Sequence, residues 1–191
     1  MSKKNSSKSK PTNETQAQCA DVEVTVLKAK KGNIGVLKLN AEKTLNSLSL
    51  SMVQVLFSTL KEWSSDDTIS LVVLLGSGDK AFCAGGDIQS LYQSATNQVD
   101  GECKDAERFF FEEYQLNYQI HCYDKPIICL GNGYVMGGGV GLMAGASHRV
   151  VSESTRLAMP EITIGLFPDV GSTVFLNQIP YNLGCFFALT G

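Results

Sequence analysis

Histidine is nearly missing from this chain: His121 and His148 are the only two among 191 residues. His121 falls at the end of a helical pattern, where an imidazole can face terminal carbonyls, and His148 opens a strand. Both read as structural, so Ser-His-Asp catalysis and histidine-built metal sites have no footing. The six cysteines (Cys19, Cys83, Cys103, Cys122, Cys129, Cys185) contain no C-x-x-C pair, which argues against a zinc knuckle and a dithiol redox site. No apolar signal-peptide core precedes them, and they read as free thiols of a reducing cytoplasm. No apolar run reaches the roughly 18 residues of a membrane span, so no membrane partner is expected. Positive charge is scarce as well, with 16 Lys and Arg against 19 Asp and Glu for a net charge of −3. A nucleic-acid partner would call for a basic stripe, and none is present. The glycine signatures of nucleotide sites are also absent: Leu142 stands where a G-x-G-x-x-G begun at Gly137 needs its last glycine. No Gly-Lys step and no G-x-S-x-G occur.

What is present is an ordinary globular composition, 43% hydrophobic and 18% charged, enough for one domain that buries roughly 70% of its unfolded surface. The first 20 residues are Lys, Ser, Asn, Thr and Gln with almost nothing apolar, and are expected to be a disordered tail. That stretch lacks Arg, so a transit peptide is the weaker reading and the mitochondrial matrix the alternative location. The folded unit is expected over 21–191. Val22, Val24 and Val26 alternate as in a half-buried strand, Ile34 to Leu39 reads as its partner, and Gly32-Asn33 supplies a turn. Val53, Leu56, Phe57, Leu60 and Trp63 share one helical face, with Ser49 or Ser51 as N-cap. Ile69 to Leu75 is a continuous apolar run, expected to be a strand covered on both faces. A loop is expected from about Ala95 to Lys104, and a helix from Asp105 to Cys122 ended by Lys125-Pro126. A second buried strand, Ile127 to Leu130, leads to a buried helix opened by Gly137-Gly138-Gly139. A short strand at Val150-Val151 and a helix near Ser172 to Gln178 complete the reading. Buried strands alternating with helices predict an α/β class with a largely parallel sheet. No internal repeat of solenoid period is visible.

Two strand-then-glycine units carry the chemistry. Leu75 leads to Gly85-Gly86-Asp87, and Leu130 to Gly137-Gly138-Gly139. Side by side in a sheet, such units can either pack strand against helix tightly or aim two N–H donors at one oxygen. Each donor of an oxyanion hole is worth about 3–4 kcal/mol of transition-state stabilisation. Glu161 and Asp169 lie among apolar neighbours, as helix caps or as acids of raised pKa. Phe109, Glu113, Leu116 and Ile120 recur at helical spacing, which puts the Glu113 carboxylate in an apolar stripe and turns Glu112 away. Such a carboxylate needs an ion-pair partner, a wet stripe edge or a function.

The run Asp79-Lys80-Ala81-Phe82-Cys83-Ala84-Gly85-Gly86-Asp87-Ile88, then Lys125-Pro126, then Gly131-Asn132-Gly133-Tyr134-Val135-Met136-Gly137-Gly138-Gly139, resembles the crotonase (enoyl-CoA hydratase/isomerase) superfamily. Ala158-Met159-Pro160-Glu161 with Ile164-Gly165-Leu166-Phe167-Pro168-Asp169-Val170-Gly171 resembles its acyl-CoA hydrolases that act on 3-hydroxyisobutyryl-CoA, an activity of valine catabolism. The closing Phe187-Ala188-Leu189-Thr190-Gly191 fits too, so the resemblance covers about residues 22 to 191. It implies a ββα spiral core whose C-terminal helical part, which completes the acyl-CoA pocket and the oligomer contacts, would follow Gly191. It further implies that Gly86 and Gly138 form the oxyanion hole, that Glu161 and Asp169 are catalytic, and that Glu113 contacts the substrate. No metal and no cofactor is implied beyond the coenzyme A of the acyl-CoA substrate, and a homo-oligomer is a further expectation. Hydratases carry a glutamate two residues after the glycine triplet; Gly141 stands there, which disfavours enoyl-CoA hydration or isomerisation. A non-catalytic acyl-CoA-binding fragment is the remaining alternative.

Overall fold

A computed structural model describes residues 19–97 and 103–191. Most of the expected tail, and the middle of the expected 95–104 loop, lie outside the described residues. Cys19 and Ala20, placed in that tail, are tied to the fold: Val22 N donates to the Cys19 carbonyl, and Asn40 Nδ2 to that of Ala20.

The chain is a spiral of strand–strand–helix turns. β1 (Val22–Leu27) and β2 (Asn33–Leu39) pair antiparallel and lead into α1 (Leu50–Ser64). β3 (Ile69–Gly76) and β4 (Ala81–Cys83) precede α2 (Ile88–Thr96) and the long α3 (Lys104–His121). β5 (Ile127–Gly131) and β6 (Tyr134–Met136) precede α4 (Gly138–Gly145). β7 (His148–Val151) and β8 (Arg156–Ala158) lead to a 3-10 turn at Pro160–Ile164. α5 (Ser172–Phe175) and α6 (Leu183–Thr190) close the chain. Both strands of the first turn and the first strand of each later turn form a sheet of order β1-β2-β3-β5-β7, parallel from β2 onward, and the second strands of the later turns form a small parallel sheet β4-β6-β8. The α/β class and its parallel sheet are as expected. The repeating turn has no sequence period because β3, β5 and β7 begin at the uneven positions 69, 127 and 148.

Local chemistry explains the main elements. Ser49 caps α1 by accepting from Met52 N at 3.2 Å. Trp63 near the other end lies over Gly35 of β2, where any Cβ would collide with its ring. Lys125, ahead of Pro126, donates to the carbonyls of Trp63 and Asp66, both at 2.6 Å, and so ties the entry of β5 to the end of α1. α3 crosses α1 and α4 with Phe109, Glu113, Leu116 and Ile120 as its buried stripe. Three expectations change. Val24 and Val26 are exposed, because β1 is the sheet's edge strand and the apolar cover is centred on β2 at Leu37 and Leu39. β3 is fully buried only at Ile69, Val72 and Leu74, its other face being partly covered. The expected 95–104 loop is helical at both margins, since α2 runs to Thr96 and α3 starts at Lys104.

The second sheet and the glycine strand are held by a side chain that no motif marks. Asn46 is 1% exposed and takes a left-handed φ of 56°, which Asn tolerates better than other residues with a side chain. Its Oδ1 accepts from Ala41 N and Ser77 Oγ, and its Nδ2 donates to the carbonyls of Ser77 and Ala81 at 3.0 and 2.9 Å. Asn46→Ala would leave buried backbone groups of three segments unpaired, a loss of about 3–5 kcal/mol. Thermal denaturation should show Tm lower by about 10 °C; an unchanged Tm would refute this role.

Candidate active site

The site begins as a floor of glycine backbone. β4 ends at Cys83, and the chain then passes Gly85 at φ 98° and Gly86 before Asp87 caps α2 through Ser90 N. From the other turn, Gly137 at φ 48° ends β6 and opens α4 at Gly138. Both positive φ angles favour glycine. The two segments touch: a Cβ on Gly85 would stand 3.6 Å from Gly138 N. Leu48 brackets the first segment, its N–H donating to the Gly85 carbonyl and its carbonyl accepting from Asp87 N. Among the described residues, neither the Gly86 nor the Gly138 N–H donates to any protein group. Two unpaired donors therefore lie along one cavity of about 130 Å³.

The same cavity collects the acids. Glu113 from α3, Glu161 from the Pro160–Ile164 turn and Asp169 from the loop before α5 all line it, together with Gly86 and Gly138. All five residues singled out in the sequence thus meet in one place. Glu113 is 2% exposed and Glu161 6%. Glu113 Oε1 and Glu161 Oε2 are buried without a hydrogen-bond partner. No ion pair reaches Glu113 among the described residues, so its first alternative, a core salt bridge, is not realised; Glu112 makes the outward pair with Arg108 instead. Glu113 Oε1 lies where a Cβ on Gly138 would stand, and Glu161 Oε1 lies 2.8 Å from the Cβ position of Gly137. A side chain at either position would displace a carboxylate from where it now lies.

Crowding acids in an apolar cleft makes ionisation costly. Burial, then the charges of Asp169 and Glu161, push Glu113 up to about 8. At neutral pH it is a protonated donor. Burial likewise raises Glu161, offset by a backbone hydrogen bond and reinforced by Asp169. Asp169 is raised by burial and held back by the hydroxyl of Tyr114, which donates to its Oδ2 at 2.6 Å. Asp169 is therefore not a side-chain helix cap. No sequence signal marks Tyr114: it is an exposed-face neighbour of Glu113, and its partner is 55 residues away. Gly141, where the hydratases carry an acid, faces Val170; a Cβ there would be 2.6 Å from Val170 Cβ and 3.0 Å from Asn117 Oδ1. Among the described residues no cluster of His, Cys, Asp or Glu could hold a metal ion, and no helix is long and apolar enough to cross a membrane.

The enoyl-CoA hydratase/isomerase family pattern matches residues 34–191. The chain belongs to this family. Curated relatives include the mitochondrial 3-hydroxyisobutyryl-CoA hydrolases of Danio rerio, 46% identical over 168 residues, and of Homo sapiens, 44% identical over 171 residues. These alignments cover 87% and 90% of this chain but 42% and 43% of the relatives, so the chain spans less than half their length. Among solved structures, a carnitinyl-CoA dehydratase from Mycobacterium thermoresistibile superposes with TM-score 0.83 at 44% identity, over 91% of this chain and 48% of that one. An enoyl-CoA hydratase from Rhodobacter sphaeroides 2.4.1 does so with TM-score 0.83 at 39% identity, over 90% and 49%. The crotonase-like fold expected from the motifs is thereby established. The relatives' names place them in mitochondria and lend no support to the cytoplasmic expectation.

Glu113 makes stability depend on pH in a direction opposite to a salt-bridged acid. The folded chain keeps its proton up to about pH 8, while an unfolded chain releases it near 4.5. Glu113 thus opposes folding increasingly through that window and by a constant amount above it. Glu113→Gln should unfold at higher temperature than the parent, with the gain growing between those two pH values to the order of 2–4 kcal/mol. Melting curves across the window test it; a gain largest in acid would contradict the buried, protonated carboxyl.

Proposed function

We propose that this chain forms the catalytic core of a CoA-thioester hydrolase acting on 3-hydroxyisobutyryl-CoA or a similar short, branched 3-hydroxyacyl-CoA. The observation that carries the reading is the meeting of Glu161, Asp169 and Glu113 over two unpaired backbone donors, with no acid at Gly141. The Gly86 and Gly138 N–H groups receive the thioester oxygen as it gains charge. Glu161, whose Oε2 is buried and unsolvated, serves as nucleophile or as base toward water. As nucleophile it attacks the carbonyl carbon, the C–S bond breaks, coenzyme A leaves as thiol, and water then opens the resulting anhydride. Asp169 orients the attacking group or shuttles the proton. Glu113, protonated, hydrogen-bonds the substrate hydroxyl. No further cofactor enters the scheme. A mitochondrial location is part of the proposal, supported by the relatives' names.

The rival reading, enoyl-CoA hydration, draws support from the hydratase and dehydratase structures of this fold. It needs a second acid delivered from α4, and Val170 occupies that space. Thiol release from 3-hydroxyisobutyryl-CoA, run beside loss of enoyl absorbance from crotonyl-CoA, separates the two. The expected result is thiol release with negligible hydration; comparable hydration would end the hydrolase reading. Glu161→Gln should lower kcat about 10³-fold or more, and Asp169→Asn severely. The double variant should cost little more than the worse single one, because groups acting as a unit are non-additive. A Glu161→Gln protein with lowered Tm but normal kcat would return Glu161 to the helix-cap role.

A further inference from the structure

We propose that Tyr114 is the positioning residue of Asp169, its hydroxyl holding that carboxylate in the acid pocket while Val170, seated on Gly141, locks the same turn from behind. The inference rests on the hydrolase reading above and adds a residue that the reading does not use.

Glu113 and Tyr114 are consecutive on α3, so their side chains diverge by about 100°. Glu113 enters the acid pocket, whereas Tyr114 lines a neighbouring cavity of about 280 Å³ shared with Asn117, Gly141 and Val170. Asp169 and Val170 divide in the same way, one into each cavity. The Tyr114–Asp169 hydrogen bond, 2.6 Å long, is therefore the partition between the two. Little else aims the carboxylate. The loop from Gly165 to Gly171 belongs to no helix or strand, and its backbone is tied by Ser172, whose N–H donates to the Asp169 carbonyl and whose Oγ donates to that of Pro168. Those bonds fix the main chain and leave the Asp169 carboxylate to the Tyr114 hydroxyl and to the residue's own backbone N–H; Tyr114 is the one side chain that reaches it among the described residues.

Val170 supplies the second half of the clamp. It is β-branched, 6% exposed, and held at φ 46°, a conformation such residues strongly disfavour. What compensates is its seat, the space above Gly141 that a Cβ would otherwise take. Glycine at 141 is thus more than a missing acid: it lets Val170 turn inward, and this turn sends Asp169 to the opposite side. The titratable groups facing Asp169 are Tyr114 and Glu113 from α3 and Glu161 from the Pro160–Ile164 turn; α4 adds Gly138, which carries no charge, to the same cavity.

The test is Tyr114→Phe, which keeps the ring and removes only the hydroxyl, with Tyr118→Phe one turn along as control. With aspartate labelled at 13Cγ and Asp169→Asn used for assignment, the Asp169 titration midpoint should rise by about one pH unit in Tyr114→Phe and stay put in Tyr118→Phe. The acid limb of kcat/KM should move up with it. kcat should fall about 10- to 100-fold with KM little changed, and adding Tyr114→Phe to Asp169→Asn should cost nothing further. An unmoved midpoint, an equal shift in Tyr118→Phe, or additive losses would overturn the assignment. If the unsubstituted protein releases no thiol from any acyl-CoA, the hydrolase reading fails, and the 13C titration still decides Tyr114 independently.

Discussion

The glycine segment that presents the Gly86 N–H hangs on the junction that Asn46 makes between two sheets. A small parallel sheet of three-residue strands has too little ladder to define its own position, and β4 in particular is short. Asn46 compensates by using both ends of its amide at once, accepting from the Ala41 N–H and Ser77 Oγ and donating to the carbonyls on either side of the β3–β4 corner. Neighbouring backbone bonds extend the grip: Ala84 N donates to Leu45, and Leu48 brackets Gly85 to Asp87. The chain from 45 to 48 is in effect a splint for the segment that presents the Gly86 N–H. A hydrogen-bond donor can stabilise a developing oxyanion only if it is already in place when charge appears. In the proposed hydrolysis the splint would provide that preorganisation.

The acids show the complementary constraint. Three carboxylates line one small cavity, and none is matched by a cation among the described residues. In water, such an arrangement would simply ionise. In the cleft, burial raises all three, and the neighbouring carboxylates add to it at Glu113 and Glu161, so Glu113 holds a proton at neutral pH that an isolated side chain would have lost. A pocket of that kind can keep one acid as a donor while another remains available as a base, and the difference is set by surroundings rather than by residue type. Tyr114 sharpens it by favouring the charged form of Asp169 alone.

Much of this is legible in the amino-acid sequence itself. The helical spacing that puts Glu113 in line with Phe109, Leu116 and Ile120 identifies a buried acid with no reference to fold, because it depends only on local periodicity. The two glycine clusters likewise announce close backbone approach, and the family motifs join them to Glu161 and Asp169. What sequence hides is whatever depends on partners remote along the chain. Asn46 meets groups 31 and 35 residues away, and Tyr114 meets one 55 residues away. Neither lies in a pattern that repetition or spacing exposes. The second sheet escapes for another reason: strands of three residues are too short to show an alternation. Val24 and Val26 mislead in the opposite sense, since they alternate correctly in an edge strand that little covers.

Gly141 illustrates why a single position cannot be read in isolation. Taken from the sequence, it is an acid that a hydratase would have and this chain lacks. Taken from the structure, its emptiness is used: Val170 fills the space, adopts a left-handed backbone to do so, and thereby points Asp169 toward Glu161. An acid on α4 and an inward Val170 are mutually exclusive, because a Cβ at 141 would overlap the valine. Placing an acid at residue 141 therefore requires the loop around 169 to be rebuilt with it. A glutamate placed at 141 alone would collide with the Val170 side chain.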